Sequence, residues 1–243
     1  MINSQLTPER QQVWKFFDGR QQGFFLDVGA NEPKKGSQTW FLEEEGWRGI
    51  LVEPQAHLAE KLRAERPQSR VFQVACGAPG HPPEMTLHIA EAASQSSLRK
   101  HLIGVKTKYV DAQVVKIMTI DEILAEAGNP ALDYVSIDVE GTQLEVLRGF
   151  SLKRHQPRLV LVEDHLNNLA AHRLVQRQGY RLVKRTGLNN WYIPDGQAFA
   201  LSSPVERFRL WKRLWLNTPF RKARRFLERK GKPEASAGEE AAN

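Results

Sequence analysis

A chain of 243 residues, 41% hydrophobic and 26% charged, has the composition of a folded globular protein and room for one sizeable α/β domain plus a tail, which excludes a largely disordered chain. The net charge of +7 is unevenly placed: eleven of the 35 Lys and Arg lie between Pro204 and Pro233, against only Glu206 and Glu228. The remainder is close to neutral and projects no general field for a polyanion, so a nucleic acid is not an expected partner.

Cys76 is the single cysteine, which rules out an internal disulfide and suits a reducing compartment. Residues 1–20 hold no apolar run of signal length, and no stretch reaches the roughly 20 apolar residues that cross a bilayer. The expected location is the cytoplasm, with peripheral contact at the inner membrane face as an extension of that reading.

In chain order, Thr7 and Pro8 predict the start of a helix whose apolar face is Val13, Trp14, Phe16 and Phe17. Short, nearly continuous apolar runs then predict buried parallel strands: "GFFLDVG" (23–29), "GILVEP" (49–54), "RVFQVA" (70–75), "LDYVSIDVEG" (132–141) and "RLVLVEDH" (158–165). Helical spacing lies between them at Trp40–Leu42, at Leu58 and Leu62, and at Leu144, Val146 and Leu147. Strands alternating with helices define a doubly wound sheet. "YRLVKRTG" (180–187) and "NNWYIP" (189–194) predict an antiparallel hairpin closing one edge. Residues 85–118 interrupt the alternation with strands at 85–90 and 113–118, and read as an insertion over the ligand face. The organisation is a helical segment over 1–22, a domain over 23–203, a basic amphipathic helical tail over 204–233 and a disordered terminus over 234–243.

"FFLDVGANEPKKGS" (24–37) breaks from strand into glycine, asparagine and proline, a loop that lets a ligand approach the main chain closely at Gly29. In open α/β sheets such a loop faces the ligand crevice at the carboxyl ends of the strands. "GANEPK" keeps only the first glycine of the dinucleotide fingerprint, which argues against a pyrophosphate. Glu53 ends the second strand, where a carboxylate can accept both hydroxyls of a ribose. A nucleoside without a pyrophosphate satisfies both facts, and S-adenosylmethionine is the candidate, with Asp27 facing its cationic amino-acid end. An ordinary strand-to-helix turn is the bland alternative for the loop alone.

With "DVGAN", "VEP", "VACG" (74–77), "LDYVSIDVEGTQLEVLRGF" (132–150) and "LVEDH" (161–165) in this order, the chain resembles the FkbM family of S-adenosylmethionine-dependent methyltransferases over roughly residues 23–194. The resemblance implies a Rossmann-like seven-stranded class I methyltransferase sheet with helices on both faces. It also implies methyl transfer, usually to a hydroxyl of a sugar or another natural product. Carried over by position, Asp27, Gly29 and Asn31 line the methionine end of the cofactor, Glu53 the ribose, and Ala75 and Cys76 the adenine. "EPKKGS" departs from relatives that have a glycine soon after the asparagine.

Transfer to oxygen needs the acceptor held in line and its proton removed. Asp138 and Glu140 follow the fourth strand, and Glu163, Asp164 and His165 the fifth, so both groups are expected over the cofactor loop. His165 is the preferred base, with Asp138 orienting the acceptor or the cofactor. Helix capping is the bland reading of both. A divalent metal is not expected; if one is present, Asp138, Glu163 and Asp164 are its ligands. Ser96, Ser97 and Arg99 are available to an acceptor, as are Asn189, Asn190 and the Trp191 ring to a sugar, though a solvated loop and hairpin turn chemistry explain the same residues. The other histidines, including His172, read as surface or loop residues. N-methylation of an amine and a non-catalytic adenosyl-binding module are the rival functions. The tail places Phe208, Trp211 and Trp215 at helical spacing among cations, a pattern suited to an anionic membrane or to docking on the domain or a dimer partner.

Overall fold

The apolar runs form one seven-stranded sheet in a computed structural model that describes residues 6–91, 96–98, 108–164 and 169–212. His165, Arg99, most of the tail and the terminus over 234–243 lie outside the described residues. Two compact units, Met1–Ser202 and Ser203–Asn243, make up the chain.

In the first unit the elements run α1 (Pro8–Phe16), β1 (Phe24–Val28), α2 (Trp40–Glu43), β2 (Arg48–Val52), α3 (Ala56–Glu65), β3 (Arg70–Phe72), β4 (Ala75–Cys76), β5 (Glu84–Ala90), β6 (Tyr109–Met118) and α4 (Ile120–Glu126). They continue as β7 (Tyr134–Ile137), α5 (Gln143–Arg148), α6 (Leu152–His155), β8 (Leu159–Glu163), α7 (Leu169–Arg177), β9 (Tyr180–Thr186) and β10 (Asn189–Pro194). The large sheet has the order β3-β2-β1-β7-β8-β10-β9. Its first five strands are parallel, and β10 runs antiparallel between β8 and β9. Strand order therefore reverses between β1 and β7, the place where an open α/β sheet presents a ligand crevice.

Alternation along the strands sorts the core into two layers. Leu26, Val28, Ile50, Val52, Val135, Ile137, Val160 and Val162 pack with Ile123 of α4, Val146 and Leu147 of α5, and Val175 of α7. Phe25, Leu51, Tyr134, Leu159, Leu161 and Trp191 point the other way, onto Val13 of α1, Phe41 and Leu42 of α2, and Leu62 of α3. Both faces are thus covered, as continuous apolar strands require. The four-residue α2 is too short to persist alone. Burial of Phe41 and Leu42, roughly 1.5–3 kcal/mol each, holds it in place.

Three expectations change. "RVFQVA" is not one strand: its pairing with β2 ends where the Glu53 amide donates to the Phe72 carbonyl, because the next amide on that side, Gln55, donates to the Glu53 carboxylate instead. The chain re-forms as β4, which pairs with β6 in a separate three-stranded sheet, β4-β6-β5. Asn189, Asn190 and Trp191 do not offer a sugar platform. Trp191 is wholly buried, Asn190 accepts from Arg185, and the Asn189 amide donates to Glu9 of α1, whose carboxylate also receives the Thr186 hydroxyl. His172 is buried against Tyr192 rather than exposed.

The second unit begins with α8 (Pro204–Lys212). Ser203 and Glu206 cap it reciprocally, the Glu206 amide donating to the Ser203 hydroxyl and the Ser203 amide to the Glu206 carboxylate. Among the described residues no helix is long and apolar enough to cross a membrane.

Candidate active site

β1 delivers the glycine loop to the switch point, and Gly29 closes it there. Its φ is +85°, and a Cβ on it would stand 1.9 Å from the Asp138 carbonyl oxygen at the end of β7. The Gly29 and Ala30 amides both donate to the Val52 carbonyl of β2, at 2.9 and 3.1 Å. Asn31 follows in the left-handed region at φ +53°, and its amide donates to Glu53 Oε2 at 3.0 Å. Glu53 Oε1 accepts from the Gln55 amide at 2.9 Å. One carboxylate thus ties together the loop after β1 and the turn after β2. Burial pushes Glu53 up to about 7, against the pull of those two amides.

A cleft of about 670 Å³ opens at this point, lined by Gly29, Asn31, Glu53, Ala75, Cys76 and Asp138, with Val74, Leu87 and Leu98 making an apolar wall. Six of the seven residues expected to hold the cofactor therefore meet in one place. The insertion contributes as well, since Ser96 and Ser97 line the cleft. Ser97 donates to the Glu140 carbonyl at 2.7 Å, and Ser96 accepts from the Ala90 amide.

Asp27 is not among the lining residues. Its parity in β1 turns it toward α2, where it is 2% exposed and accepts the Thr39 hydroxyl at 2.7 Å. Burial raises its pKa, while Thr39 and the charges of Arg66 and Arg10 oppose the rise. Thr39 in turn accepts from Arg66, a fully buried guanidinium that also reaches Ser37 at 3.1 Å and forms a 2.6 Å ion pair with Glu43. Ser69 donates to the same Glu43 carboxylate. The "EPKKGS" loop is clamped from α2 and α3 by this network. Sequence reading missed it because Arg66 and Glu43 sit in stretches that look solvated; the only signal was the loop's lack of a second glycine.

β7 and β8 run in parallel register, with Ile137 beside Val162, so Asp138 and Glu163 emerge side by side. Burial comes first in raising Asp138, to about 9, joined by a hydrogen bond with Glu163 and the charges of Glu163, Glu140 and Asp27. Asp164 points to the other face, where burial raises the Tyr192 phenol and the Asp164 charge adds to the rise. The three carboxylates named for a metal therefore do not converge, and among the described residues no group of three His, Cys, Asp or Glu could hold one. Burial pushes the Cys76 thiol up to about 12, which leaves it a packing residue and not a nucleophile.

The residues present fit an adenosyl cofactor. Asn31 Oδ1 is buried in the cleft wall with no protein partner, and Gly29 lines the same cleft. An open α/β domain with its cleft at the switch point, built from a glycine loop and a strand-end acid, is the nucleoside-binding class. The Methyltransferase FkbM domain matches residues 27–182, and the chain belongs to this family of S-adenosylmethionine-dependent methyltransferases. No curated protein matches the chain.

Among solved structures, monomeric WbdD aligns with a TM-score of 0.45 and 13% identity over 80% of this chain and 43% of WbdD, so the chain spans less than half of that protein. The C-terminal domain of precorrin-6Y C5,15-methyltransferase from Rhodobacter capsulatus aligns at 0.37 and 17%, over 78% of this chain and 87% of that one. A TehB-like SAM-dependent methyltransferase from Corynebacterium glutamicum aligns at 0.38 and 10%, over 74% and 85%.

Proposed function

We propose that the cleft holds S-adenosylmethionine and that the chain methylates a hydroxyl oxygen on a sugar, glycan or glycolipid, in the cytoplasm. The observation that supports this most is the bond from the Asn31 amide to Glu53, which brings the two candidate ends of the cofactor site into one cleft. Glu53 would accept the ribose hydroxyls, Ala75 and Cys76 would border the adenine, and Gly29 and Asn31 the methionine end, with Asp27 bracing the loop from behind. When bound, the cofactor supplies an electrophilic methyl group. Asp138 positions the acceptor and His165, beyond the end of β8, takes its proton.

Titration calorimetry with S-adenosylmethionine tests the cofactor site. Glu53 accepts hydroxyl protons best when ionised, so affinity should strengthen as pH rises through about 7. The stability linkage has the opposite sign. The folded carboxyl lies above its ordinary 4.5, so its contribution to stability is complete below pH 4.5 and is lost as pH rises to about 7. Glu53→Gln should weaken binding by about 10- to 100-fold and flatten its pH profile. Binding that is unchanged in this variant removes Glu53 from the site.

For the reaction, His165→Ala should cut turnover by about 10²- to 10⁴-fold with cofactor affinity retained. Full turnover in that variant leaves the base elsewhere. An amine acceptor is the second reading, favoured by the three acidic side chains, Asp138, Glu163 and Glu140, that gather beside the cleft. Carbon NMR of the methylated product separates an O-methyl from an N-methyl group.

A further inference from the structure

We propose that α8 is the apolar foothold of a segment that binds anionic lipid bilayers. Val205 and Phe208, one turn apart on α8, are 57% and 62% exposed, two of the five large hydrophobic side chains exposed among the described residues. Their neighbours at i+4 are cations, Arg209 after Val205 and Lys212 after Phe208. Glu206, the acid of the helix, is spent at its N-terminus as the capping partner of Ser203. Two apolar groups flanked by two long basic stems can sink at the acyl boundary while the charged heads stay with lipid phosphates.

Charge complementarity identifies the partner. Eleven Lys and Arg against two Glu fall between Pro204 and Pro233, while the rest of the chain is close to neutral. The attraction is therefore confined to the segment that carries the exposed ring. RNA would engage the cations and stack a base on Phe208 but has no use for the aliphatic Val205, whereas a membrane takes up both side chains. This inference goes beyond the proposed reaction and stands without it.

Flotation of the full-length protein with phosphatidylcholine vesicles, with and without added phosphatidylglycerol, tests it. Recovery is expected with the anionic vesicles alone. Arg207→Gln, Arg209→Gln and Lys212→Gln together should lower partitioning roughly 100-fold, at about fivefold per cation. Val205→Ser with Phe208→Ser should lower it roughly tenfold or more without changing net charge. Both α8 variants stay folded if they keep the wild-type unfolding midpoint, which circular dichroism reads directly. The proposal is overturned by equal recovery with neutral vesicles, by no recovery at all, or by a serine variant that floats like the wild type. It is equally overturned if an RNA heteropolymer binds the chain and strips it from anionic vesicles while the serine changes have no effect.

Discussion

Gly29→Ala should lower the unfolding midpoint by about 6–12 °C and weaken S-adenosylmethionine binding at least tenfold. Two costs add. An alanine at φ +85° carries the left-handed penalty of roughly 1–2 kcal/mol. Its methyl group would also have to share space with the Asp138 carbonyl oxygen 1.9 Å away, which forces the end of β7 and the loop apart. A total near 3 kcal/mol is expected, and at about 2–4 °C per kcal/mol for a domain of this size the shift follows. Gly36→Ala is the control: it lies in the same loop at φ +79° with nothing within 4 Å of the added carbon, so only the conformational part applies. Thermal unfolding followed by circular dichroism compares them. Equal shifts for the two glycines would mean that contact with β7 contributes nothing, and the account of the loop would fail.

Arg66→Met should cost about 3–5 kcal/mol, because it strands a carboxylate that has no route to water. Glu43 is 5% exposed and is held by the Arg66 guanidinium at 2.6 Å, with Ser69 as its other donor. The same change removes donors from Ser37 and Thr39, and so loosens the Asp27 contact beneath the glycine loop. Adding Glu43→Leu should recover much of the loss, since an apolar pair replaces the buried ions without leaving either one unpaired. Urea unfolding at constant m-value reads both steps. A loss below about 1 kcal/mol in the single variant would show that Arg66 merely fills space.

The sheet was legible because its strands are buried on both sides and read as apolar runs, and the glycine loop and Glu53 because each follows such a run directly. What escaped depends on pairing at a distance. A continuous apolar strand does not reveal its parity, so "FFLDV" could not say that Asp27 turns toward α2 while the loop beyond it turns to the cleft. Asn189 and Trp191 look alike as turn or ligand residues until Glu9, far away in sequence, arrives to bind the hairpin. α4 was overlooked although Thr119 and Glu122 carry a complete capping box, a signal the sequence does contain. The end of β3 depends on a side chain as well, since the Gln55 amide that would have extended its pairing turns to the Glu53 carboxylate.

The place of β1 in the middle of the sheet has a kinetic cost. β1 can join β2 as soon as the first crossover has formed, but its other side has no partner until Tyr134 to Ile137 leave the ribosome, after the whole β5–β6 hairpin. Until then Phe25 and Leu26 border an open hydrogen-bonding edge, the kind of edge that captures other nascent chains. The strand that builds the cleft is therefore also the one that exposes the growing polypeptide to aggregation for longest.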